Sequence, residues 1–332
     1  MAIRLTPTAI HIGTGQLYEY SNGIFYSANA TFVQTRTLGP GNATGYGYVT
    51  GGGSPGGYSN VIQKFPFSAD TNSTDVGDLL SSGSYGHAGQ SSSTHGYTSS
   101  GLGPGAFNTI QKFPFASDAN ATDVGDALQG DRLFCVGQSS STHGYTSGGE
   151  YAVALNSIEK FPFATNANAT DVGDLTVARS TSAGQSSEVS GYTSGGVSPI
   201  SNVIDKFPFA SDANATDVGD LTVAKYYLSG QSSSTHGYAT GGRNAAVAKR
   251  IDRFSFSSDG NATNVGDLIA FYDSNGTSAG ISSASSGYAI SAEDDARFHK
   301  FSFANENNSS EVGSLLSSGI SSQAGHETPS ST

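Results

Sequence analysis

The sequence predicts an all-β fold: a six-bladed β-propeller of four-stranded antiparallel blades, preceded by a short segment outside the repeat. Three observations carry this. First, a Phe-x-Phe motif returns as Phe65-Pro66-Phe67, Phe113-Pro114-Phe115, Phe161-Pro162-Phe163, Phe207-Pro208-Phe209, Phe254-Ser255-Phe256 and Phe301-Ser302-Phe303, in steps of 48, 48, 46, 47 and 47 residues. A period of roughly 40–50 residues made of short strands marks a propeller blade. Second, the composition suits turns and short strands: of 332 residues 44 are Gly, none is Trp and 13% are charged, with Ser, Thr, Gly and Asn filling the polar positions. Third, each repeat divides into strand-length runs separated by Gly, Ser, Asn and Asp clusters.

The elements follow in chain order. Residues 1–40 do not fit the repeat and read as an arm or anchor, or as a segment that closes the ring; residues 41–332 read as the propeller. The fourth copy serves as the type. Ala183-Gly184-Gln185-Ser186-Ser187 leads to Gly191-Tyr192-Thr193-Ser194-Gly195-Gly196, then to Asn202-Val203-Ile204-Asp205-Lys206-Phe207-Pro208-Phe209. A polar turn, Ala210 to Thr216, ends at Asp217-Val218-Gly219-Asp220-Leu221. In the third of these strands Val203, Phe207 and Phe209 share one face, as period-2 alternation requires. The last copy ends Ala324-Gly325-His326-Glu327, matching Ala183-Gly184-Gln185. It reads as an inner strand without its own continuation, which would pair with the first blade and remove the exposed edges of an open ring.

A small-residue inner strand, an aromatic just before a Gly-Gly pair, an aromatic third strand and an apolar fourth strand resemble Kelch-type repeats. The Gly pair stands at Gly51-Gly52, Gly148-Gly149, Gly195-Gly196 and Gly241-Gly242. The chain departs from that pattern in three respects. Val76, Val124, Val172, Val218, Val265 and Val312 take the place of the fourth-strand Trp, the second copy has Ser100-Gly101, and the sixth lacks the pair. The resemblance implies a propeller over roughly residues 40–332 and says little about function. The repeats also resemble those of propeller proteins in virus particles, notably phage tails.

Bulk properties exclude several classes. A net charge of −12 with no basic stripe argues against a nucleic-acid partner. Cys135 is the single cysteine, so no intrachain disulfide forms, and no Cys/His cluster has metal-ligand spacing. The N-terminal MAIRLTPTAIHIGTG lacks the apolar core of a secretory signal, and no stretch approaches the ~18 apolar residues of a membrane span. Neither secretion by the general route nor membrane insertion is therefore expected. No cofactor is expected, and no catalytic residue: there is no Gly-x-Ser-x-Gly elbow, and residues repeated in every blade are poor candidates for a unique catalytic role. His95, His143 and His236, before Gly-Tyr in three copies, read as structural. Asn72, Asn120, Asn168, Asn214, Asn261 and Asn308 head Asn-x-Ser/Thr sequons, yet each stands seven residues after the first Phe of its motif. That regularity favours a turn role over glycosylation.

The spacings separate two faces. From the first Phe to the Gly of Val-Gly is 12 residues in all six copies, and from the inner-strand Gly to the Gly before Tyr is 7 in the five measurable copies. These segments hold the first-to-second and third-to-fourth turns, which share one face. The other two connections vary in length and sequence and share the opposite face. Loops on a rigid scaffold commonly carry function, so the variable face is the expected binding face. Its candidate contacts are Tyr58, Tyr85, Asp131, Arg132, Tyr151, Tyr226, Tyr227, Arg243, Tyr272, Asp273, Asp294 and Arg297. The expected role is a non-enzymatic structural and receptor-binding component of a virus particle, a phage tail or fibre. Residues 1–40 would contact other virion proteins, and the variable loops would contact a host surface glycan or protein, with several copies per particle. The alternative is a free lectin-like or protein-interaction propeller of a cell.

Overall fold

The computed structural model describes residues 3–6, 9–12, 16–21, 24–27, 45–54, 57–80, 85–102, 108–243, 249–269, 277–291, 296–316 and 324–327. The chain divides into two compact units, residues 1–39 and 40–331. In the first, Ile3–Thr6, Ala9–Ile12, Gln16–Ser21 and Ile24–Ser27 form an antiparallel four-stranded meander in sequence order.

The second unit is a six-bladed β-propeller. In the fourth blade the inner strand Ala183–Ser186 pairs with Ser190–Ser194, that strand with Val203–Pro208, and that one with the outer strand Thr216–Asp220, all antiparallel. Blades 2, 3, 5 and 6 repeat this order over residues 88–126, 136–174, 226–267 and 277–314. In blade 1, Ala324–Glu327 supplies the inner strand. It pairs with Tyr46–Thr50, and Val61–Pro66 and Thr74–Asp78 complete the blade. The ring is thus closed by two distant stretches of one chain inside a single sheet, which leaves no unpaired edge at the seam.

Both faces of each blade are packed, because each blade lies between two others. On the third strand Phe207 is 1% exposed, while its neighbour Ile204, pointing to the other face, is fully buried. Ile62, Ile110, Ile158 and Ile251 repeat this, with Phe298 in the sixth blade. A β-bulge interrupts each third-to-outer pairing, as between Ile158 and Glu159.

One set of latches joins every blade to the next. Tyr145, on the second strand of blade 3, stacks on Phe209 of blade 4 at 4.8 Å and 26°, and its hydroxyl donates to the Phe209 carbonyl. Tyr48, Tyr97, Tyr192 and Tyr238 stack on Phe115, Phe163, Phe256 and Phe303. Tyr288 on Phe67 closes the circle. The Asn of each third-to-outer turn accepts a backbone N–H from the preceding blade: Asn120 from Asp78 and Asn168 from Asp126, round to Asn72 from Ser314. This bond across the interface explains why Asn recurs at one fixed position. Around the same rim Lys64 pairs with Asp118, Lys160 with Asp212, Lys206 with Asp259, Arg253 with Glu306 and Lys300 with Asp70. Lys112 completes the set with a bond to Asn166.

Near the axis the blades meet backbone to backbone. A Cβ on Gly184 would lie 2.5 Å from the carbonyl oxygen of Gly137 in the neighbouring inner strand, a distance no side chain tolerates. The glycine is there because inner strands converge on the axis. The following Gln reaches across: Gln138 Nε2 donates to the Tyr192 carbonyl and to Thr193 Oγ1.

Candidate functional site

The second-to-third and outer-to-inner connections lie together on the variable face, and their bases are braced by left-handed turns and buried ion pairs. After the second strand the chain turns through two left-handed residues, Gly148 (φ 60°) and Gly149 (φ 95°) in blade 3. Blade 2 puts Ser100 (φ 62°) in the first of these positions. Short ribbons rise beyond: Gly53–Ser54 with Gly57–Tyr58, and Glu150–Tyr151 with Val153–Ala154.

Arg132, expected as an exposed contact of this face, is instead fully buried. Its guanidinium lies 2.5 Å from Glu159 and donates to the carbonyls of Gly148 and Ser157. Blades 4 and 5 repeat the arrangement with Arg179–Asp205 at 2.9 Å and Lys225–Asp252 at 3.2 Å, all four side chains inaccessible. Burial lowers the pKa of Arg179 and of Lys225, and the paired aspartate opposes that shift in each case. The acids also reach the preceding blade. Glu159 accepts the Leu128 N–H, and Asp205 accepts the N–H and hydroxyl of Thr176. These cations brace the loops from below. The signal was in the sequence: each stands five residues before the inner-strand Gly, in the same blades that place an acid just after the buried third-strand Ile.

Three residues before that Gly, the backbone is left-handed in blades 2 to 5: Gly86 (φ 71°), Phe134 (φ 53°), Thr181 (φ 54°) and Tyr227 (φ 54°). Hydrogen bonds link them between blades, Thr181 N–H to the Phe134 carbonyl and Tyr227 N–H to the Thr181 carbonyl. This linked run of backbone, leading into the inner strands of blades 3 to 5, borders the mouth of the axis. From it an aromatic arc extends. Tyr58 stacks on Tyr85 at 5.1 Å and 10°; Tyr85 meets Phe134 edge-on at 6.1 Å; Phe134 meets Tyr227 edge-on at 5.9 Å. Phe134 and Tyr227 belong to blades 3 and 5, so the arc passes over blade 4 at Thr181. Tyr226 adjoins Tyr227 at 5.5 Å, and the Arg243 guanidinium lies 5.5 Å from the Tyr227 ring.

Of the residues expected to bind, Tyr58, Tyr85, Tyr226, Tyr227 and Arg243 are brought together in this arc. Tyr151 is exposed on its own ribbon beside Ala152 (φ 59°). Asp131 is half-buried, with one carboxylate oxygen enclosed and without a hydrogen-bond partner. Arg297 opens the third strand of blade 6 and pairs with Glu311 on the outer strand at 2.5 Å. Tyr272, Asp273 and Asp294 lie outside the described residues. Phe134, Glu150, Ser180 and Thr181 belong to the site although the sequence reading did not select them. Ser180 Oγ donates to Glu150 Oε2 at 2.9 Å. Burial raises the pKa of Tyr85, and the neighbouring Tyr58 and the Glu150 carboxylate raise it further. Burial likewise raises that of Tyr227, partly offset by Arg243. Both phenols therefore stay protonated at neutral pH and remain hydrogen-bond donors.

No protein-family model and no curated protein matches this chain.

Proposed function

We propose that this chain is a non-enzymatic structural component of a virus particle that binds a host surface receptor, glycan or protein, through the variable face of its propeller. The aromatic arc on that face carries the reading. Half-exposed tyrosines with protonated hydroxyls and an adjacent guanidinium suit ligand contact, whereas the described aromatics of the uniform face serve as blade latches. The placement in a virus particle is supported by the resemblance of these Kelch-type repeats to phage-tail propellers. In that reading residues 1–40 contact other virion proteins, and each particle carries several copies.

Two experiments test the proposal. Immunogold electron microscopy of particles from the source culture should place label at one regular position, such as a tail end. Label confined to cells or the soluble fraction would reject the virion assignment in favour of a free lectin-like propeller. Fluorescent chain should bind host cells, and binding should fall about tenfold or more in a Tyr58→Ala, Tyr227→Ala double variant, as removal of central aromatic contacts does elsewhere.

A further inference from the structure

We infer that the mouth of the axis on the variable face is a binding site for a neutral oligosaccharide, walled by Tyr85, Phe134 and Tyr227 and anchored by Glu150. The inference rests on the variable face being the receptor-binding surface, and it narrows the ligand.

Four observations point to this chemistry. The rings form a contiguous half-exposed series, Tyr58 stacked on Tyr85 and the next two pairs edge-on so that successive faces turn, in steps of 5.1, 6.1 and 5.9 Å from Tyr58 to Tyr227. The C–H faces of pyranose rings pack on such π faces, and a wall of several rings fits a chain of sugars rather than one. Phe134 and Tyr227 hold left-handed backbone, which is strained for bulky residues, at a position where Gly86 does so freely. Aromatic side chains kept at strained positions in a cluster indicate use. Polar groups accompany the wall. Among the described residues the Glu150 carboxylate has Ser180 as its one hydrogen-bond partner, leaving Oε1 to accept sugar hydroxyls. Thr181, 7% exposed and between Phe134 and Tyr227 in the linked run of backbone, has an Oγ1 with no hydrogen-bond partner. A buried hydroxyl without a partner is costly unless something satisfies it.

Charge selects a neutral ligand. The cations beneath the face, Arg132, Arg179 and Lys225, are each neutralised by a buried acid. Among the described residues, the charged groups that act on Tyr85 and Tyr227 are one carboxylate, Glu150, and one guanidinium, Arg243. A polyanionic chain would meet Glu150 without a surplus of positive charge to hold it, whereas neutral hydroxyls can accept from Arg243 and donate to Glu150.

The test is isothermal titration calorimetry on the full chain. The probes are neutral hexasaccharides of glucose, galactose and mannose, with hexagalacturonate as the acidic counterpart. The variants are Tyr85→Ala, Glu150→Gln and, as a control on the uniform face, His143→Ala. The expected result is binding of at least one neutral hexasaccharide, weakened about tenfold or more in Y85A and E150Q. Affinity should be unchanged in H143A, with thermal midpoints preserved in all three. Binding of hexagalacturonate alone, abolished by Arg243→Ala, would overturn the neutral-ligand inference and leave the receptor-binding face intact. Neutral binding indifferent to Y85A and E150Q would overturn the site. If no sugar binds while cell labelling still depends on Tyr58 and Tyr227, the ligand is a protein and only this inference falls. If cell labelling is absent too, the functional reading falls with it.

Discussion

The two faces of the propeller are built from the same strands, yet they obey different rules. On the uniform face each third-to-outer turn does two jobs. It closes its own hairpin, and it presents an accepting Asn oxygen, an acidic or amide partner and a Phe ring to the blade before it. A change in length there would break contacts in two blades at once, so length and residue type recur six times. On the variable face the bracing lies lower, in the left-handed turns and the buried ion pairs. Above that level, among the described residues, no inter-blade hydrogen bond recurs in all six blades. Even the bracing differs: ion pairs in blades 3 to 5, but Gln63 and Gln111 on the third strands of blades 1 and 2. Symmetry persists where the residues of one blade complete the next, and lapses where they do not.

That contrast can be broken at graded levels. The largest effect is expected at the axis. Gly184→Ala forces a Cβ onto the Gly137 backbone, which cannot yield without moving two inner strands. Loss of about 4 kcal/mol or failure to fold is expected, read by urea denaturation. Asp205→Asn comes next, since it leaves the Arg179 charge buried without its counter-ion. About 3 kcal/mol should be lost, and an Arg179→Met, Asp205→Leu pair should recover much of it.

The seam adds a pH dependence. At the closing strand His326 replaces the Gln of blades 2 to 5, and it shares Thr50 Oγ1 with His87, at 3.0 and 3.2 Å. His326 Nδ1 also lies 3.1 Å from the Gln90 carbonyl, and the Phe113 ring packs edge-on against its imidazole. Among the described residues the titratable group that acts on His326 is His87. Burial lowers His87 to about 4 and His326 to about 3, so both are neutral in the folded protein. Above the ordinary histidine range they impose no pH dependence. Below about pH 6.5 the unfolded chain takes up protons that the folded seam refuses. Stability is therefore lost as pH falls toward the folded values, with a slope approaching about 1.4 kcal/mol per pH unit for each histidine. His326→Gln should flatten the pH dependence of the thermal midpoint between pH 6 and pH 4 relative to the parent.

Smaller effects separate the faces themselves. Asn168→Ala removes one inter-blade bond at an exposed turn and should lower stability by about 1 kcal/mol in the same denaturation assay. Tyr58→Ala, on the variable face, should change stability by no more than about 0.5 kcal/mol while reducing cell binding. A stability loss at Tyr58 as large as that at Asn168 would erase the distinction drawn between the faces.

The sequence by itself determined the architecture. A repeat of near-constant length, with an aromatic pair, a Val-Gly and a Gly-Tyr in each copy, admits one way to bury thin apolar layers, and the match of the last strand to the other inner strands foretold the closure. It also separated the faces, because constant spacing is visible without coordinates of any kind. Five of the residues it proposed for binding do meet in the arc. Tertiary structure alone decided the rest. Arg132 in a variable loop reads as exposed, and only packing shows it beneath the surface against Glu159, since burial depends on neighbours distant in sequence. Phe134 and Tyr227 are 93 residues apart and belong to non-adjacent blades, so nothing local announces their contact. The pattern within a repeat is a local property and is written in the chain. The site spans several repeats, where they depart from one another, and those departures acquire a shared position only when the ring closes.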